Sequence, residues 1–176
     1  MIDLTGLFLI EHLYGGRMLH SCHIHNNITD EGKNRFLNIG FHRTPQITNW
    51  WLGLIAYSGF SSLSDTDTYP GINESNAWDE FTDYTDTNNG GSPITRPLWI
   101  TNAASEQSIT NTTRAIFHTT IDNTIKGLFV VGGSSNAQNK GDNLPSNSIL
   151  WATALFDTDY PVFNGSVLRI SYAINT

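Results

Sequence analysis

The densest run of reactive side chains in the sequence is His20-Ser21-Cys22-His23-Ile24-His25. Imidazole and thiolate are zinc ligands. The run reads as a strand, however, and successive strand side chains point to opposite faces. His20 and Cys22 then share one face and His23 and His25 the other, so at most two ligands meet without outside help. His12, His42 and His118 stand alone and supply no second pair at ligand spacing. Ordinary polar strand residues are the simpler reading, with no metal and no cofactor.

The acid pairs Asp65/Asp67 and Asp157/Asp159 resemble fragments of calcium loops, but neither carries the twelve-residue ligand pattern of an EF-hand. Carboxylates crowd residues 79–86, and two of them would suffice for a glycosidase. Nothing in the sequence marks either as buried enough to shift its pKa. A nucleophile elbow, a phosphate-cradling glycine loop and a zinc-protease helix are all absent. Gly132-Gly133-Ser134-Ser135 lacks the strand–turn–helix setting that an activated serine needs. The chain does not read as an enzyme.

Charge narrows the partners. The formal net charge is −7. No Lys or Arg lies between Arg43 and Arg96, whereas Asp65, Asp67, Glu74, Asp79, Glu80, Asp83 and Asp86 all do. These seven acids account for the whole imbalance. An acidic segment without basic patches argues against binding a phosphate backbone, so nucleic acid is excluded as an expected partner. No continuous apolar run approaches the ~20 residues of a membrane span. The apolar stretch near the N-terminus lacks a basic flank and a small-residue cleavage site, and does not read as a signal peptide. One cysteine, Cys22, permits no internal disulfide.

The frame for these residues is a β-rich domain of 176 residues, large enough to bury its own core. Residues 46–57, QITNWWLGLIAY, alternate into two sets that are both largely apolar. That pattern predicts a central strand buried on both faces, with Gly53 leaving room for a close neighbour. Residues 7–14 and 17–24 flank Gly15-Gly16, a hairpin signal. Thr29 as N-cap, with Asp30 and Glu31 in the first turn, predicts a helix at 29–40. Phe36, Leu37 and Phe41 form its apolar side and are expected to cover one face of the sheet.

Residues 58–93 form a long acidic loop containing the aromatic cluster Trp78, Phe81 and Tyr84, with a flexible tip at 88–91. Further strands are expected near 94–100, 107–111, 114–121, 125–132, 149–156 and 167–174. Asp122-Asn123 and Asn164-Gly165 are read as hairpin turns. The expected fold is mainly β, a jelly-roll-like β-sandwich with one short α-helix. Residues 1–25 are expected as an N-terminal β-hairpin arm and 26–176 as the sandwich domain. Trp50, Trp51, Trp99 and Trp151 are assigned to the core.

The order of motifs resembles a group of small structural proteins of tailed bacteriophages. The residues that carry it are H-N-x-I-T-D-x-G at 25–32, Q-I-T-x-W-x-x-G-L-I at 46–55 and W-x-E-F-x-x-Y at 78–84. They continue with T-R-P-x-W at 95–99, S-I-T-N at 108–111, I-K-G-x-F-V at 125–130, A-T-A-L-F at 152–156 and G-x-V-L-x-I-x-Y at 165–172. The resemblance spans residues 7 to 174, and it lies in the ordered succession. It implies a non-enzymatic virion component, a capsid decoration or cement protein made in the host cytoplasm and bound to the capsid surface. The implied partner is the major capsid protein, with self-association as a dimer or trimer.

On that reading the contact elements are the first hairpin, through Phe8, Leu13 and Tyr14, and the segment carrying Trp78, Phe81 and Tyr84 as aromatic anchors. Packing inside the chain is the competing assignment for the same rings. Two other functions stay open: a tail or fibre-associated module whose loop aromatics bind a host glycan, and an enzyme acting on the host envelope.

Overall fold

The computed structural model of the chain describes residues 4–86, 92–144 and 147–176; the expected tip at 88–91 lies outside these. The chain forms a β-sandwich of two antiparallel sheets and one α-helix. The strands are β1 (Thr5–Tyr14), β2 (Arg17–His25), β3 (Asn27–Ile28), β4 (Trp50–Ala56), β5 (Glu80–Phe81), β6 (Tyr84–Asp86) and β7 (Ile100–Thr101). They continue with β8 (Ser108–Thr113), β9 (Ala115–Thr119), β10 (Asn123–Gly132), β11 (Ile149–Val162) and β12 (Val167–Asn175). The helix, α1, spans Asp30–Phe41.

The first sheet is built around β12, which pairs with β1 on one side and with both β8 and β9 on the other; β2 forms the outer edge beyond β1. The second sheet runs β3–β11–β10–β4–β5. Between them lies the main core. Phe8, Ile10, Leu168, Ile170 and Tyr172 of the first sheet meet Leu52, Leu54, Leu128, Val130 and Ala154 of the second. The inward-facing positions follow from strand alternation.

The hairpin of residues 5–25 joins the first sheet. Gly15 and Gly16 both take positive φ, 55° and 78°, as the two-residue hairpin turn requires. Strand β1 then pairs with β12 from Thr5↔Asn175 to Leu13↔Val167 and belongs to the sandwich. Its Phe8 stacks on Tyr172 with ring centroids 4.3 Å apart.

Strand β4 is buried on both faces, but it is not central in its sheet. The inner strand is β10, paired with β11 and β4. The outer face of β4 is covered by the acidic segment, which folds back as a further layer. Trp51 and Ile55 of β4, with Phe129, Val131 and Leu150, form a second core against Tyr69, Ile72 and Trp78. Gly53 fills its expected role: a Cβ there would lie 2.0 Å from the Phe129 ring.

Two turns differ from expectation. Strand β9 lies in the first sheet and β10 in the second, and likewise β12 and β11. The turns at Asp122-Asn123 and Asn164-Gly165 are therefore corners between sheets. Their turn chemistry suits a corner as well as a hairpin, since Gly165 supplies a φ of 86° either way. The strand expected at 94–100 is also absent. Pro93 and Pro97 lack backbone donors there, leaving isolated bridges at Thr95↔Asn139 and Trp51↔Leu98 before the short β7.

Helix α1 begins where the capping signal puts it. The Thr29 hydroxyl oxygen accepts the Gly32 amide at 3.0 Å and donates to the Leu150 carbonyl at 2.5 Å. Glu31 Oε2 accepts both the Leu150 amide at 2.7 Å and the Tyr69 amide at 2.9 Å. Gly32 lies against the Trp151 backbone, where a Cβ would be 2.5 Å from the carbonyl oxygen. The first turn thus docks the helix. Its expected apolar side does not, because Phe36, Leu37 and Phe41 remain exposed.

Candidate functional site

In the β1–β2 ladder His12 pairs with His20 and Ile10 with Cys22, while His23 and His25 oppose Leu9 and Leu7. Directly opposed residues share a face, so His20 and Cys22 point one way with His12, and His23 and His25 the other. The Tyr160 ring packs against both His12 and His20, with centroids 5.5 and 5.7 Å away. Among the described residues no three His, Cys, Asp or Glu side chains converge as a metal cluster. Burial raises the pKa of the Cys22 thiol, with Asp157 adding to the shift. A raised pKa disfavours the thiolate that nucleophilic or ligand chemistry uses.

His12 is buried, with Nε2 2.8 Å from Ser166 Oγ, which also accepts the Phe163 amide at 2.9 Å. Burial, then the neighbouring His20, lowers the His12 pKa below its ordinary 6.5. A folded-state pKa below the unfolded one means that His12 supports the fold above pH 6.5. As pH falls below that value, the unfolded chain takes the proton first and this support is lost. Urea denaturation midpoints should therefore fall between pH 7.5 and 5.5, and His12→Asn should flatten the dependence. An equally steep pH dependence in the variant would assign it to other groups.

The aromatic anchors expected in the acidic segment lie inside the protein. Trp78 is 1% exposed and packs on Phe129 in the second core. Phe81 and Tyr84 belong to the main core, where Tyr84 meets Phe117 edge-on at 4.8 Å. Phe8 is likewise buried. All four rings are buried within the chain, Trp78, Phe81 and Tyr84 beside β10, β4 and β9 and Phe8 on Tyr172 of β12. Leu13 is half-buried, and Tyr14 is exposed.

The acids of the same segment are used internally. Glu80 and Arg96 are fully buried and joined fork to fork, Nε to Oε1 at 2.8 Å and Nη2 to Oε2 at 2.7 Å. Burial alone would lower the Arg96 pKa, but Glu80 more than offsets it and holds the guanidinium charged. Asp67 accepts the Trp78 indole at 2.8 Å and the Ser64 amide at 3.0 Å. These contacts pair the charges and donors inside the fold and latch the acidic segment to the sandwich. Arg96, the first base after the seven acids, was the available sequence signal.

Among the described residues several apolar side chains remain exposed, Tyr57, Ile94 and Leu144 among them, and two groups stand out for their position at the ends of the sandwich. At the hairpin tip, Met18 is 52% and Leu19 51% exposed, and the exposed Tyr14 ring lies 5.5 Å from the exposed Phe163. On α1, Leu37 and Phe41 stand one turn apart on one face, and Phe41 is 83% exposed. Sequence reading named the helix residues, but for the core. Beside Phe36, at the same end of the sandwich, a cavity of about 230 Å³ opens between the sheets. Its walls include Ile109 and Ile174 of the first sheet, Trp50 and Trp151 of the second, and Trp99.

No protein-family model, curated protein or solved structure matches the chain.

Proposed function

We propose that this chain is a non-enzymatic structural protein of a tailed-bacteriophage virion, a decoration or cement protein that binds the outer surface of the capsid shell. The ordered motif succession from 7 to 174 suggests the class of protein. The observation that carries the reading is that two of the exposed apolar groups lie at opposite ends of one sandwich. The hairpin tip sits beside Leu13, paired with Val167 at the start of β12, while the α1 end adjoins Ile174 near its finish. At the rise of an extended strand these places are roughly 25 Å apart.

Exposed apolar patches on a soluble domain mark contact surfaces, and two of them on opposite ends suit a clamp between neighbouring capsid subunits. The doubly buried β4 and the latched acidic segment make the body between them stiff. Many copies on one shell let each contact be modest. The partner is the major capsid protein; contact between copies at a symmetry axis would add to it. A tail or fibre-associated glycan-binding module, the alternative, would have to use aromatics other than Trp78, Phe81 and Tyr84, which are buried here.

Sedimentation of the purified protein with assembled shells tests the proposal. Saturable binding with many copies per particle is expected. Replacing Met18 and Leu19 with Asp, or Leu37 and Phe41 with Asp, should each weaken it about tenfold or more, equivalent to about 1.4 kcal/mol, with the fold intact. Density confined to the tail in a cryo-EM map of the virion, or shell binding indifferent to both pairs, would overturn it.

A further inference from the structure

We infer that the cavity beside α1 is a binding site for a small amphiphilic carboxylate, an apolar acyl or aryl body with a single anionic end. This goes beyond the structural role proposed above and does not depend on it. The cavity lies between the open ends of the two sheets, roofed by Phe36 and Ile39 of α1 and floored by Trp50, Trp99 and Trp151. Trp50 and Trp151 meet edge to face at 5.8 Å, so these two rings form adjoining walls.

The indoles of Trp99 and Trp151 present no free donor to the space. Trp99 Nε1 donates to the Tyr172 carbonyl at 3.2 Å, and Trp151 Nε1 to the Tyr172 hydroxyl at 3.0 Å. What they offer a ligand is ring surface. Ile47, Ile109 and Ile174 extend the apolar lining, with Gln46 as its one neutral polar residue beside Arg35. An apolar cavity of about 150 Å³ already holds benzene, so about 230 Å³ accommodates a larger apolar body.

The polarity of the ligand follows from Arg35, the charged residue of the lining. Its Nη2 donates to the Pro45 carbonyl at 3.3 Å. Its Nε is buried and has no hydrogen-bond partner among the described residues. A buried guanidinium N–H without an acceptor is costly, and a carboxylate is the acceptor that fits a guanidinium fork best. Specific pockets have this composition: apolar walls with a few polar groups that fix orientation. The rest of the α1 rim does not compete for Arg35, since Asp30 pairs with Lys33 and Glu31 is taken by the Leu150 and Tyr69 amides.

Three tryptophans in the wall make intrinsic fluorescence the readout. The intact protein is titrated with octanoate and, separately, with octanol, which has the same body without the charge. Saturable change with octanoate is expected, with octanol weaker by about tenfold or more. Arg35→Gln should bring octanoate down to the octanol level and leave octanol binding unchanged. Ile109→Trp, which fills the space while keeping Arg35, should abolish both. Two-dimensional NMR of the indole N–H groups locates the perturbation. Absence of saturable octanoate binding to a folded wild-type protein would overturn the inference. So would equal octanoate affinity in Arg35→Gln, or perturbation confined to indoles outside the cavity. None of these results bears on shell binding, so the two proposals stand or fall separately.

Discussion

Arg96→Ala should lower the folding free energy by about 3–5 kcal/mol, the range for breaking a buried ion pair by removing one partner. The substitution leaves the Glu80 carboxylate inside the protein with the Gly141 amide, 2.7 Å away, as the one remaining donor among the described residues. It also strips the Ala137 carbonyl of the Arg96 Nη1 bond at 2.7 Å and removes the guanidinium from over the Phe129 ring at 5.5 Å. Those contacts tie three pieces of chain together: the acidic segment through Glu80, the 93–99 segment through Arg96, and the loop after β10 through Ala137 and Gly141.

Glu80→Ala should cost a similar amount, because it leaves the guanidinium uncompensated. The paired replacement Glu80→Leu with Arg96→Met should cost much less than the sum of the two single changes, since no charge is then stranded. Urea denaturation of the wild type, the two alanine variants and the double variant Glu80→Ala/Arg96→Ala closes the cycle that gives the coupling. A loss under about 1 kcal/mol for Arg96→Ala would mean that the pair is solvated in solution and the acidic segment is not latched.

The sequence announced features whose causes are local. Thr29, followed by two acids, set the start of α1, because a cap and its first turn are neighbours in the chain. Gly15-Gly16 set the first hairpin for the same reason. Even Gly53 was legible, since a missing side chain among large ones signals a close approach. What could not be read was the choice among distant partners. Asn164-Gly165 bends the chain whether β12 returns beside β11 or crosses to the other sheet; nine residues of ladder with β1 decide it.

The candidate surfaces divide in the same way. The Glu80–Arg96 pair joins residues from separate segments, and the cavity draws its walls from the helix, the chain before β4, and both sheets. Neither has a spacing to find. The apolar side of α1 was visible in the sequence and misassigned, because periodicity reveals that a face is apolar but not what covers it. Here Gly32 and the capped first turn dock the helix, which leaves Leu37 and Phe41 outside.

Trp78→Ala should destabilise the fold by about 3–5 kcal/mol, the range for emptying a large aromatic site in a core. The indole fills the space between the acidic segment and the outer face of the second sheet, where its ring lies 5.3 Å from Phe129. Two penalties combine. The cavity loses contacts with its lining, and Asp67 loses the indole N–H at 2.8 Å, keeping the Ser64 amide at 3.0 Å. Trp78→Phe separates them, because it retains most of the apolar volume and removes only the donor. A hydrogen bond to a charged group contributes about 1.5–3 kcal/mol, so Trp78→Phe should fall between the wild type and Trp78→Ala. These variants also discriminate between the two roles that the sequence left open for this ring. As a core residue, Trp78 affects shell binding only through the fraction of molecules folded, and folded Trp78→Phe should bind shells like the wild type. An anchor would behave in the opposite way, with wild-type urea midpoints and lost binding. That outcome would require the acidic segment to open at the shell, which the buried Glu80–Arg96 latch resists.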